Sequence, residues 1–270
     1  FHFAAQSLVR KSYNEPLQTF NVNVVGTANI LELITLYDSI KVGIFATTDK
    51  VYQNLEIGKP FMESDRLGGH DPYSSSKAAS ELVIDSYCKS FFNFSNIAIS
   101  SVRAGNVIGG GDWSQDRILP DAIRSWNDEK KLKIRSPNSI RPWQHVLDCL
   151  YGYMLLAEKS WKDCSIQGPY NFGPSKNDSL SVIELVKLAS RDYNSNTFYV
   201  EDNDTHHEAG FLSLDVSKAE NVLGYSPRWV AKEAVKKTMI WYKNLAAGHN
   251  ALDLCNQDIA EYLSMFDQSF

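Results

Sequence analysis

Lys41-Val42-Gly43-Ile44-Phe45-Ala46-Thr47-Thr48-Asp49-Lys50 opens as an apolar run of strand length and closes on hydroxyls and charges. Upstream, residues 16 to 37 carry Val22, Val25, Ile30, Leu33 and Ile34 at helical spacings, and Pro16 suits a helix's first turn. Downstream, Pro72 to Phe92 is rich in Ala, Glu and Leu and reads as a second helix, and Ile97 to Val102 (IAISSV) as the next strand. Strand, helix and strand at these lengths require parallel crossovers. The fold class is therefore α/β, a Rossmann-like doubly wound parallel sheet.

Beyond Arg103 the pattern changes. Gly109-Gly110-Gly111-Asp112 is a loop, Asp116 to Trp126 a helix, and Leu132 to Ser136 a short strand. Gln144 to Glu158 reads as a helix, Gly168 to Gly173 as a strand, and Leu180 to Tyr193 and Val230 to Leu245 as amphipathic helices. Loops and arginines are denser here, which suggests a smaller binding lobe interleaved with the sheet. The expected division is 1–105 plus about 144–173 for the sheet domain, and 106–143 plus about 174–270 for the substrate lobe.

Composition narrows the function. The 270 residues hold 27 Lys+Arg against 32 Asp+Glu, a net charge of −5, without a dense basic run. A nucleic-acid or anionic-membrane partner needs concentrated positive charge, so neither is expected. No apolar run approaches the ~20 residues of a membrane span. Cys88, Cys149, Cys164 and Cys255 are irregularly spaced and form no C-x-x-C, as in reduced thiols of a cytoplasmic protein. The six tryptophans read as core, with Trp113 and Trp143 set apart because they lie in loops near the expected site.

The sharpest chemical feature is Tyr73-Ser74-Ser75-Ser76-Lys77. Positions i and i+4 share one helix face, so the phenol and the ammonium lie together. A nearby cation favours the phenolate and makes tyrosine a usable base near neutral pH. Thr48 follows a strand, and ligands of open α/β sheets bind beyond strand C-termini. A hydroxyl beside a Tyr/Lys pair can hold a substrate alcohol and remove its proton while a nicotinamide takes the hydride.

With these residues and Asn23-Val24-Val25-Gly26-Thr27, Arg103-Ala104-Gly105-Asn106-Val107-Ile108-Gly109-Gly110-Gly111-Asp112-Trp113, Arg117-Ile118-Leu119-Pro120-Asp121 and Arg141-Pro142-Trp143-Gln144-His145, the chain resembles the extended short-chain dehydrogenase/reductases. Within them it is similar to the nucleotide-sugar 4,6-dehydratases. The RAGNVIGGGDW and RPWQHV strings point to the branch acting on CDP-glucose. The resemblance implies NAD as cofactor, with Ala4, Ala5, Gln6, Asn23, Thr47, Tyr73, Lys77, Arg103 and Ala104 as cofactor-binding residues. It implies Thr48, Asp49, Lys50, Tyr73 and Lys77 as the catalytic group. Tyr73 takes the proton of the sugar 4-hydroxyl, Lys77 holds the nicotinamide ribose, and Asp49 protonates the departing 6-hydroxyl. Asn106, Arg117, Leu119, Arg135, Arg141 and His207 are implied as substrate-binding, because arginine forks match phosphates. His206-His207-Glu208 has poor spacing for a metal, and none is expected. A homodimer is implied, built from the helix of Tyr73 and the helix of Asn23, with Leu36, Leu82 and Tyr87 as candidate contacts. So is a role in supplying activated sugar for surface polysaccharide.

The chain lacks a G-x-x-G-x-x-G turn, and Gly109-Gly110-Gly111 follows a later strand. It opens on Phe1 without Met and is expected to be a fragment, with about 80 to 90 residues carrying the Gly-rich half of the cofactor site before it. Two other readings stay open: a dehydratase or epimerase for a dTDP- or UDP-sugar, and a catalytically silent nucleotide-sugar binding protein. Asp49-Lys50 argues against a plain epimerase, which needs no acid at C6.

Where dTDP-glucose relatives carry glutamate after the aspartate, this chain has Lys50. Lysine acts as a base only when burial or a neighbouring cation lowers its pKa. Lys50 is thus either the C5 base or a charge partner that positions Asp49. If it is the base, Lys50→Ala blocks deuterium washout from C5 and spares C4 oxidation; normal washout removes it from that role. The chain as given is expected to bind NAD weakly or not at all, and a tight complex measured by calorimetry would refute this.

Overall fold

The computed structural model describes residues 1–93, 95–175, 178–195, 198–200 and 210–267. In chain order the helices are α1 (Val9–Asn14), α2 (Pro16–Phe20), α3 (Gly26–Leu36), α4 (Pro72–Tyr87), α5 (Ile118–Asn127), α6 (Val146–Lys162), α7 (Val182–Tyr193), α8 (Ala231–Ala246) and α9 (Ala251–Asp267). The strands are β1 (Val42–Ala46), β2 (Ala98–Ala104), β3 (Val107–Ile108), β4 (Leu132–Ile134), β5 (Ile140–Arg141), β6 (Gln144–His145), β7 (Tyr170–Phe172), β8 (Leu180–Ser181) and β9 (Phe198–Val200). A π segment, Asn21–Val25, joins α2 to α3, and another, Cys88–Phe92, extends α4. No helix among the described residues is long and apolar enough to cross a membrane.

Two compact units divide the chain. The first holds Phe1–Gly105, Tyr151–Gly173 and Leu212–Tyr225; the second holds Asn106–Leu150, Pro174–Phe211 and Ser226–Phe270. The first unit is built on a parallel sheet ordered β1-β2-β7, with Val42 opposite Ala98 and Val102 opposite Tyr170. His2 adds a parallel bridge on the outer side of β1, donating to the Ile44 carbonyl at 2.8 Å. Leu31 and Ile34 from α3 and Ile84 from α4 pack on Phe45 and Ile99. Gly43 packs closely there: a Cβ would sit 2.8 Å from the tip of the Ile99 side chain, which would have to shift.

The boundaries differ from the sequence expectation in several places. Gln144 and His145 are not helical: Gln144 donates its N–H to the Asn106 carbonyl at 3.0 Å, so β6 pairs with β3 and α6 starts at Val146. Leu180 and Ser181 pair with β5, and Ser181 closes a capping box with Glu184, so α7 starts at Val182. Leu212–Tyr225, expected in the substrate lobe, belongs to the first unit. Phe61 bridges Leu214, and Leu214 and Val216 pack with Val51, Tyr52 and Ala78. Residues 144–150, expected with the sheet domain, belong to the second unit. Trp161, expected in the core, is 68% exposed.

The second unit gathers Ile123, Trp126, Leu185, Val235, Met239 and Trp241 into its own core. Asp148 is fully buried and accepts from Arg228 N at 2.6 Å and from the Tyr262 hydroxyl at 2.7 Å, which ties α9 to the loop before α8. Gly110 lies flat against the Trp241 indole, and the Tyr242 hydroxyl donates to the Asp112 carbonyl at 2.5 Å. A methyl at position 110 would lie inside the indole's van der Waals surface. Gly110→Ala is expected to cost about 1–3 kcal/mol by overpacking, seen as a Tm several degrees lower. An unchanged Tm would mean that the loop is not seated on Trp241.

Candidate active site

β1 delivers the reacting loop. After Ala46, Thr47 donates its N–H to the Val102 carbonyl at 2.9 Å, which holds the strand end to β2. Thr48 then turns the chain into a short 3-10 helix, Asp49–Val51. Its hydroxyl oxygen accepts from Lys50 N at 3.3 Å and donates to Asp49 Oδ1 at 3.1 Å. Thr48 and Asp49 are both buried, while Lys50 is half-buried.

Local sequence also fixes the start of α4. Asp71 accepts from Ser74 N at 3.0 Å as the N-cap, and Pro72 occupies the first helical position. Tyr73 N, a second unpaired donor of that turn, finds Ser12 Oγ at 3.1 Å. Gly69 has to be glycine, because a side chain would run into the backbone of Ser74 and Ser75. Tyr73 and Lys77 follow on this capped helix, both buried. Lys77 Nζ donates to the Ala46 carbonyl at 2.8 Å, one residue before Thr47 and two before Thr48. Burial lowers its pKa to about 8, with Glu81 pulling in the opposite direction.

A buried amide network braces the same helix on an adjacent face. Gln6 N donates to Asn23 Oδ1 at 2.8 Å, and Asn23 Nδ2 donates to the Gln6 carbonyl at 3.0 Å and to Ser76 Oγ at 2.8 Å. Asn23 lies in the π segment, and its carbonyl accepts from both Thr27 and Ser80 hydroxyls, at 2.7 and 2.9 Å. The segment carrying Ala4 and Ala5, the helix of Asn23 and the helix of Tyr73 are thereby linked. The stretch 16–37 is helical as expected; its widened turn had no signature in the apolar spacing.

The residue missed by sequence reading is Glu81, four positions beyond Lys77. Its carboxylate accepts from Arg103 Nε and Nη2, both at 2.9 Å, and from the Thr47 and Ser101 hydroxyls, both at 2.6 Å. Arg103, expected beside the cofactor, directs Nη1 to the Tyr52 hydroxyl at 2.9 Å and the Glu63 carbonyl at 3.0 Å. Tyr52 donates onward to Asn171 Oδ1 at 2.6 Å. Glu81 and Arg103 are each no more than 5% exposed. Removing one partner of such a pair leaves a buried charge, at a cost of about 3–5 kcal/mol. The available signal was the spacing Tyr73, Lys77, Glu81, three successive turns of one helix face.

The expected substrate residues lie in the second unit. Asn106 accepts the Gln144 N–H through its carbonyl, and Arg117 stands just before α5, 3.7 Å from Asp112. Arg135 pairs with Asp116 at 3.0 Å. Arg141 is buried and bonds the Ile140 carbonyl, and Leu119 is part of the apolar core. His145 is buried with Nδ1 accepting from Leu147 N; burial first, then Lys237, lowers its pKa to about 3, so it stays neutral. His206, His207 and Glu208 lie outside the described residues. Among the described residues no group of His, Cys, Asp or Glu is placed to hold a metal ion.

The parallel sheet, the buried Tyr73 and Lys77 and the turn after β1 define an α/β fold that sets a Tyr-x-x-x-Lys helix beside the end of its first strand. The chain belongs to the GDP-mannose 4,6 dehydratase family, whose profile matches residues 1–238. It is 40% identical over 271 residues to CDP-glucose 4,6-dehydratase of Salmonella typhimurium (strain LT2), covering 98% of this chain and 76% of that protein. CDP-paratose 2-epimerase of Salmonella typhi is 25% identical over 91% of this chain and 78% of that protein. Among solved structures, dTDP-glucose 4,6-dehydratase DesIV of Streptomyces venezuelae, with NAD and TYD bound, superposes with a TM-score of 0.78. It is 23% identical, over 90% of this chain and 72% of that one, so it speaks to the fold alone.

Proposed function

We propose that the chain catalyses the dehydration of CDP-glucose to CDP-4-keto-6-deoxyglucose, using NAD. The observation that carries this reading is the Lys77 ammonium, one turn from Tyr73 and bonded to the Ala46 carbonyl just before Thr48 and Asp49. The 40% identity to the Salmonella enzyme supports the choice of substrate.

The residues fit the cofactor. Lys77 uses one ammonium proton on Ala46, and the other two have no partner among the described residues. Two free donors suit a ribose diol, and Tyr73 sits on the same helix face. NAD, when bound, supplies the acceptor for a hydride and its return. Thr48 holds the sugar 4-hydroxyl, and Tyr73 removes its proton as C4 is oxidised. The resulting 4-ketone acidifies the C5 proton, for which Lys50, half-buried next to Asp49, is the candidate acceptor. Asp49 gives a proton to the 6-hydroxyl, which leaves as water. Return of the hydride to C6 is matched by a proton returned to C5, so the balance is loss of one water with no net redox change.

Asn106, Arg117, Leu119, Arg135, Arg141 and His207 are assigned to the nucleotide sugar, with the guanidinium groups matched to the diphosphate. The assembly is read as a homodimer through the helices of Asn23 and Tyr73. Their exposed apolar side chains Leu17, Val25, Leu36 and Leu82 support that assignment. The four cysteines are free, in keeping with a reducing cytoplasm.

Incubating the protein with NAD in excess and CDP-, dTDP- or UDP-glucose, and reading the 4-keto product in alkali, tests the substrate. CDP-glucose is expected to be turned over with a kcat/KM at least about tenfold above the others, and Tyr73→Phe to lose about 10²- to 10⁴-fold in kcat. Turnover of dTDP- or UDP-glucose alone would overturn the reading.

A further inference from the structure

Lys77 and Glu81 occupy successive turns on one face of α4. Lys77 bonds the Ala46 carbonyl and Glu81 takes the Thr47 hydroxyl, so two turns of one helix grip two consecutive residues of one strand exit. The next two residues are Thr48 and Asp49. Glu81 reaches beyond β1 as well: its second oxygen takes Ser101 and Arg103 from β2. Four donors converge on this carboxyl group, filling about all its acceptor sites.

We propose that Glu81 is a positioning residue for the Tyr73–Lys77 pair: it locks the end of β1 against α4 and faces the buried ammonium with a fixed negative charge. The inference deepens the dehydratase reading and rests on it for turnover alone. The charged and titratable groups around Lys77 are Tyr73 and Glu81 on its own helix, His2 beside β1, Asp49 and Lys50 on the turn packed against α4, and Arg103 on β2. Burial drives Lys77 toward its neutral form, and Glu81 opposes this. A reaction that needs the ammonium fades as pH rises through the Lys77 pKa. Without Glu81 that fading sets in at lower pH.

Glu81→Gln tests the charge, and the double variant Glu81→Gln/Arg103→Met tests it without stranding a buried guanidinium. Titration of ¹⁵N-labelled lysine Nζ by NMR, assigned with Lys77→Arg, follows the ammonium without turnover. The midpoint is expected to fall by about one pH unit in Glu81→Gln and by less in the double variant, which removes the Arg103 cation as well. With NAD in excess and CDP-glucose, the alkaline limb of kcat moves with it, about tenfold lower at pH 8.5, while KM holds. A folded variant with an unmoved midpoint and an unmoved limb overturns the role. If the midpoint moves but even the unaltered protein leaves CDP-glucose untouched, the substrate reading falls and the role of Glu81 stands.

Discussion

The contact on which the rest of the first unit depends is polar and buried. A lysine on α4 reaches the last carbonyl of β1, and one turn later a glutamate takes the hydroxyl of the following threonine. Apolar packing of Leu31, Ile34, Ile84 and Ile99 holds helices to sheet, but such contacts are non-directional and tolerate sliding. Hydrogen bonds in a low-dielectric interior are directional and costly to leave unmade. They therefore set the register between helix and strand to within a fraction of an ångström, which a proton-transfer site requires.

The same logic continues outward. Arg103 pairs with Glu81 and passes the connection to Tyr52, and Tyr52 passes it to Asn171 on β7. Asn171 in turn donates to the Phe61 and Asp215 carbonyls at 2.9 and 3.1 Å. The 61–63 loop, the 212–225 segment and the sheet are thus joined through a chain of side chains that begins at the candidate site. On an adjacent face of α4, Gln6, Asn23 and Ser76 make a second chain. The helix that carries Tyr73 is held by both.

Much of this was legible in sequence, and the limits have physical causes. KVGIFAT read as a strand because an apolar run that short, followed by polar residues, has few other uses. Tyr73 and Lys77 read as a pair because helical spacing alone places them on one face. Glu81 was overlooked because a lone Glu in a helix is ordinarily solvated; only Ser101 and Arg103, twenty or more residues away, make it a buried anchor. β6 and β8 were hidden since each is two residues long and owes its pairing to a distant partner. The place of the 212–225 segment in the chain points to the substrate lobe, whereas its Leu214 and Val216 fold back on Val51 and Tyr52. Trp161 followed the general habit of tryptophan and proved exposed.

The widened turn at Asn21–Val25 has a structural price of its own. One extra residue is accommodated there without breaking the helix, and a main-chain oxygen is left to receive two hydroxyls. Shortening that stretch by a single position would restore an ordinary coil and rotate everything before it by about 100° relative to Leu31 and Ile34. Asn23 would then swing away from Gln6 while the apolar stripe stayed seated. The length of this helix is as tightly specified as its composition, so an indel there would be felt more sharply than most substitutions.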